Sequence, residues 1–93
     1  MSAQQRVDII LAVVNHKNGK EQRMNTLWLG SLAHARLCEI LHVPYPSDYK
    51  VVLTHLLGEA QRTGSHKLYE RLNEAFKFIA PYALDMGIIE LKV

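Results

Sequence analysis

Between Glu21 and Val43 the chain offers a stretch that, wound as a helix, is apolar around roughly half its circumference or more. At about 100° per residue, Leu29, Ile40, Ala33, Leu37, Leu41, Leu27 and Cys38 follow one another around one broad arc, broken by Thr26, Gly30 and His34. Asn25, Ser31, Arg36, Glu39 and His42 fall on the back, with Trp28, Leu32 and Ala35 scattered among them. So wide an apolar face has to be wrapped by neighbours, supplied by the same chain or by a second copy of it. The stretch therefore demands a helical bundle.

The flanking segments supply the wrapping. Ser2 followed by Gln5 fits a capping box, and Val7, Ile10, Leu11 and Val14 recur at helical spacing, which predicts a helix over 3–16. Its β-branched residues (Val7, Ile9, Ile10, Val13 and Val14) also suit a buried strand, so residues 7–14 keep that alternative. Asn18-Gly19 signals a reversal before the second helix. Pro44 and Pro46 break the chain after it. Ser47 is placed to cap a third helix, with Asp48 near its positive end. Along that helix Tyr49, Val52, Leu53, Leu56, Leu57 and Ala60 make one apolar face. Thr63-Gly64 ends it and Ser65 caps a fourth, whose face is Leu68, Leu72, Ala75, Phe76, Ile79, Ala83 and Met86. Pro81 should bend the fourth helix or end it one turn early. The apolar tail from Ile88 to Val93 alternates well enough for a short strand, which would need a partner.

The expected fold is thus all-α: one compact domain over residues 1–93, about four helices and a short apolar C-terminal tail. An apolar content of 48% against 22% charged residues rules against a disordered chain. The formal net charge of +2 gives no mandate for nucleic acid. Cys38 is the single cysteine and has no internal disulfide partner, which suits a reducing compartment. The first residues lack the basic start and apolar core of a signal peptide. No uninterrupted apolar run approaches the roughly 20 residues of a membrane span, so the expected setting is the cytoplasm with no membrane partner.

Chemistry is sparse. His34, Cys38 and His42 line one side of a helix, but the two histidines would stand about 12 Å apart along a straight axis, too far to share an ion. Glu39 and His42 spell the Glu-x-x-His of di-iron bundles, without the second copy such sites need. No metal and no cofactor is expected. Cys38 belongs to a buried face, and the serines fall at caps or mid-helix rather than in a nucleophile elbow. The chain carries no glycine-rich phosphate loop either. The reading is non-enzymatic.

Two basic turns remain. Arg62, Ser65, His66 and Lys67 surround a helix start and form a candidate anion site, for which the ordinary reading is a capped turn with solvated cations. Lys17, Lys20 and Arg23 form a second basic cluster. Residues 34–57 run helix, break, helix in the manner of a helix-turn-helix, but two prolines replace its tight turn. Asp48, Tyr49 and Lys50 are also a poor set for reading bases.

Asn15 to Gln22 and Pro46 to Ala60 resemble the small helical phage proteins that sequester cyclic oligonucleotides. The shared pattern is a polar turn and, after a long helix, a second helix opening with Ser47-x-x-Lys50. It covers under half of the chain, and Asp48 and Tyr49 stand where a nucleotide binder would want arginine. The resemblance implies a ligand-sequestering alternative.

Tyr45, Tyr49, Phe78 and Tyr82 stand at or beside the apolar faces and are candidate partner contacts, since aromatics anchor interfaces. With a second helix and a tail that four short helices would struggle to cover, they point to a protein partner and to a homodimer. The function expected is a small regulatory or inhibitory domain that occludes a surface of another protein. The alternatives are a binder of a nucleotide-like anion and a nucleic-acid-binding regulator.

Overall fold

A computed structural model describes residues 1–15 and 30–90. Over them the chain is all-α: α1 (Ala3–Val14), α2 (Ser31–Leu41), α3 (Tyr49–Thr63) and α4 (His66–Asp85). No described residue is in a strand. The wide apolar stretch is not one helix from Glu21 to Val43, because Gly30 is an extended cap and α2 begins after it, at Ser31. Residues 21–29, the Asn18-Gly19 turn and Lys17, Lys20 and Arg23 lie outside the described residues.

Local chemistry sets the helix starts. Ser2 and Gln5 close the capping box in both directions: the Gln5 N–H donates to Ser2 Oγ at 3.1 Å, and the Ser2 N–H donates to Gln5 Oε1 at 2.7 Å. Residues 7–14 are helix and not strand. Their β-branched side chains still serve, because Val7, Ile10 and Val13 all face the core. Ser65 caps α4 by accepting from the Leu68 N–H at 3.4 Å. The start of α3 differs from expectation. Ser47 gives its hydroxyl to the Pro44 carbonyl, and Asp48 caps instead, accepting from the Lys50 and Val51 N–H groups at 3.0 and 3.4 Å. A carboxylate suits that place, where free N–H groups carry partial positive charge. The bond between Tyr45 and Pro46, in the loop before it, is cis.

Two helix ends turn through left-handed backbone. α2 ends at His42, φ 61°, with the Val43 N–H donating to the Cys38 carbonyl at 3.0 Å. α3 ends at Gly64, φ 68°, whose N–H donates to the Ala60 carbonyl at 2.8 Å. A Cβ on Gly64 would meet nothing within 4 Å, so Gly64→Ala tests backbone strain alone. It is expected to cost about 1–2 kcal/mol in a thermal melt. No loss would mean that the turn readily adopts another conformation.

Pro81 does not end α4, which runs on to Asp85. Ile79 before it and Ala83 after it are both fully buried, so packing holds the two halves on the core while Pro81 itself stays exposed. The tail departs from expectation as well. Gly87, φ 76°, turns the chain back, and the Ile88 and Ile89 N–H groups both point to the Ala83 carbonyl, at 2.9 and 3.3 Å. Residues 86–89 are therefore turn and bend rather than strand, and residues 91–93 of the expected strand lie outside the described residues. Ile88 and Ile89 pack half-buried against the molecule's own core.

α4 is the central element and packs against each of the other three helices. Leu72, Ala75, Ile79 and Ala83 on its inner face meet Val7, Ile10 and Val13 of α1, Leu37 and Leu41 of α2, and Leu53, Leu56 and Leu57 of α3 in one cluster. Arg6 adds a polar tie between α1 and α4, with Nη1 at 2.6 Å from Asn73 Oδ1 and its guanidinium 5.9 Å from the centre of the Phe76 ring. Among the described residues no helix is long and apolar enough to cross a membrane.

Candidate functional site: an apolar groove with a basic rim

The end of α2, the loop that follows and the first turns of α3 enclose an open groove of about 290 Å³. Buried Leu41 and Leu56 line it together with half-buried Val43 and Val52. Val51 adds an exposed wall, 64% accessible. The remaining lining groups are His42, His55 and, reaching over from α4, Arg71. No carboxylate lines the groove. The helix caps explain this arrangement. Asp48 starts α3 so that Val52 and Leu56 fall one turn apart on its inner side with Val51 beside them, and the left-handed turn at His42 brings Val43 against them.

A second, shallower groove shares His42 and Arg71 and adds Ile40, Lys67, Glu70 and Glu74. Glu70 stands 3.5 Å from His66 and Glu74 3.5 Å from Lys77, each one turn away on α4. Arg71 and Lys67 make no ion pair among the described residues. Glu70 and Glu74 thus accompany Lys67 and Arg71 in this second groove, whereas on the side of the α2–α3 groove Arg71 has no carboxylate beside it.

The residues proposed as an anion site do not converge. Ser65 is occupied as a cap, Arg62 is turned back on Glu59, and His66 stands against Glu70. The pairing shows in the electrostatics of the exposed Arg62–Glu59 couple. The hydrogen bond from Arg62 lowers the Glu59 pKa, and its counterpart raises that of Arg62. Lys67 faces the groove shared with His42 and Arg71.

The four aromatic candidates also separate. Tyr45 is half exposed, at 50%, on the loop before α3. Phe78 and Tyr82 pack against each other with ring centres 5.9 Å apart, and they line a shallow groove with Lys77, Pro81 and Asp85. Tyr49 faces inward. Its hydroxyl donates to the His34 carbonyl at 2.9 Å and lies 3.1 Å from His34 Nδ1 and 3.3 Å from Cys38 Sγ. The ring also stacks on His34, centres 5.4 Å apart. Burial first, then the contact with Cys38 and the neighbouring Tyr45, pushes the Tyr49 pKa well above the ordinary tyrosine value. Tyr49 is thus a fastener between α2 and α3.

Cys38 is 1% exposed, far from the accessible, electropositive setting of a reactive thiolate. No group of three His, Cys, Asp or Glu side chains converges on a metal position among the described residues. Sequence reasoning did not find the groove. Val51 was visible as an apolar residue off the main face of α3, but nothing local linked it to Val43 or Arg71.

Fold and site together define a small all-α domain with an open apolar groove and a basic rim. Compared with protein families, with curated proteins and with solved structures, the chain finds no match in any of the three.

Proposed function

We propose that this chain is a small, non-enzymatic protein-binding domain of regulatory or inhibitory type, which works by covering a surface of another protein. The observation that carries the reading is the groove between α2 and α3, where exposed Val51 continues an apolar lining out to solvent. An apolar surface of this kind beside a polar rim is the usual anatomy of an interface core. The reading keeps the protein in the cytoplasm, where a lone thiol such as Cys38 stays reduced.

Site-specific crosslinking in the native host tests it. A photoreactive residue at position 51 is expected to give one discrete adduct with another polypeptide, and the same residue at Asp8, on α1 and outside the groove, is not. Val51→Asp should remove the interaction while leaving the melting temperature nearly unchanged, because the side chain is exposed. Equal labelling from both positions, or none from position 51, would sink the proposal.

A homodimer is the second reading, carried by Leu32, which stands 87% exposed on α2. Ile88 and Ile89 do not argue for it, since they pack against the core of their own chain. Sedimentation equilibrium of the wild type against Leu32→Glu is expected to separate dimer from monomer. A monomeric wild type would end this reading and leave the first intact.

A further inference from the structure

The groove has a chemistry as well as a shape, and the inference drawn from it rests on the protein-binding reading above. His42, His55 and Arg71 share the groove with no acidic residue. Lys67 stands beyond Arg71 in the adjoining groove, which Glu70 and Glu74 also line. A half-buried guanidinium such as Arg71, with no carboxylate partner among the described residues, is one whose best partner comes from outside. We propose that the groove takes the apolar face of an acidic amphipathic helix of another protein, whose carboxylates settle on Arg71 and Lys67.

Three observations select that occupant. The described chain has no strand, hence no sheet edge on which an extended peptide could add main-chain hydrogen bonds. At about 290 Å³ the open groove falls at the low end of small-molecule sites. That is ample for one or two side chains of a helix anchored at i and i+3 or i+4. A second copy of this chain also fits poorly. Glu39, Glu59, Glu70 and Glu74 each stand within reach of a basic side chain on their own helix, namely Arg36, Arg62, His66 and Lys77, which leaves Asp8 and Asp85, single carboxylates on two different helices. A row of free carboxylates along one helix therefore comes from a different polypeptide, and binding of a second copy would overturn the proposal.

Two synthetic helical peptides of about five turns provide the probe. Both carry leucine at i, i+3 and i+7. One flanks the leucines with glutamate, the other with lysine. Amide resonances of isotope-labelled full-length protein are followed during titration with each. The acidic peptide is expected to move resonances of residues 41–43, 51–56 and 71, while the lysine peptide leaves them in place. Arg71→Glu should weaken binding of the acidic peptide about tenfold or more, because an attraction becomes a repulsion. Lys67→Glu, at an exposed position, should weaken it in the same direction and covers the case in which Arg71→Glu disturbs folding.

Equal binding of both peptides, shifts centred on Phe78 and Tyr82, or no shifts at all would overturn the proposal. Its failure is distinguishable from failure of the broader reading. If position 51 captures a partner in cells and neither Arg71→Glu nor Lys67→Glu diminishes that adduct, the domain binds protein there and the partner is not acidic. If position 51 captures nothing, the protein-binding reading itself falls.

Discussion

Leu72→Ala is expected to destabilise the protein by about 2–5 kcal/mol, the usual cost of emptying a leucine site in a packed core. Leu72 is 1% exposed on the one helix that packs against all three others, so its cavity would be bounded on several sides by elements that cannot collapse independently. A small domain has about 5–15 kcal/mol of stability in total. The change therefore removes a large fraction of the fold's margin, and each kcal/mol should lower Tm by about 4–8 °C in a chain of this size. Urea unfolding followed by circular dichroism reads it directly. The matched control is Val51→Ala, an exposed apolar truncation on α3 expected to fall within about 0.5 kcal/mol of wild type. A Leu72→Ala loss as small as the control's would mean that α4 is not the centre of the core.

Tyr49→Ala is expected to be nearly as damaging, at about 2–4 kcal/mol, because it removes a half-buried ring as well as the hydroxyl that ties α3 to α2. Tyr49→Phe isolates the hydroxyl. It leaves the stacking on His34 and withdraws the partner of the His34 carbonyl and the Cys38 thiol, for about 1 kcal/mol. The two variants also decide between the two roles open to this residue. A residue reserved for a partner would leave the free protein equally stable as phenylalanine, whereas a fastener would not.

Alkaline titration gives an independent check on the same hydroxyl. Burial and Cys38 hold Tyr49 neutral in the folded state above its ordinary range. Its contribution to stability is therefore fully present below the unfolded tyrosine value of about 10. It is lost as pH rises beyond that value toward the higher folded one. Wild type should lose stability more steeply than Tyr49→Phe in that window. Parallel curves would show that the hydroxyl ionises as freely in the fold as out of it.

How legible the molecule is in its sequence depends on the range of the interaction involved. Ser2 with Gln5, Ser65 with Leu68, and Gly64 after Thr63 are pairs within a turn of one another, and each behaves as its spacing implies. The apolar faces of α3 and α4 were equally readable, because a helix repeats every 3.6 residues whatever surrounds it. Where two residues competed for one local role, the reading slipped by one position: Ser47 found the Pro44 carbonyl, and Asp48 became the cap. Pro81 shows tertiary packing overriding a local rule, since buried Ile79 and Ala83 carry the helix past the lost hydrogen bond. The tail shows the same. Ile88 and Ile89 alternate acceptably for a strand, yet a left-handed turn at Gly87 lets them reach the core of their own chain.

The candidate site was the least legible part. Tyr49 looked like an interface aromatic because its spacing could not reveal the His34 carbonyl fifteen positions earlier. Arg62 and His66, read from the sequence as part of an anion site, stand against Glu59 and Glu70, which their spacing of three and four residues allows. The groove joins Val43, Val51 and Arg71, which belong to a loop and to two different helices. By itself the sequence determined α1, α3 and α4, the caps of α1 and α4 and the sides these helices bury, since those follow from contacts three and four residues apart. Only the tertiary structure decided which apolar side chains remain open to solvent and which basic groups lie beside them, because both depend on where distant helices come to rest.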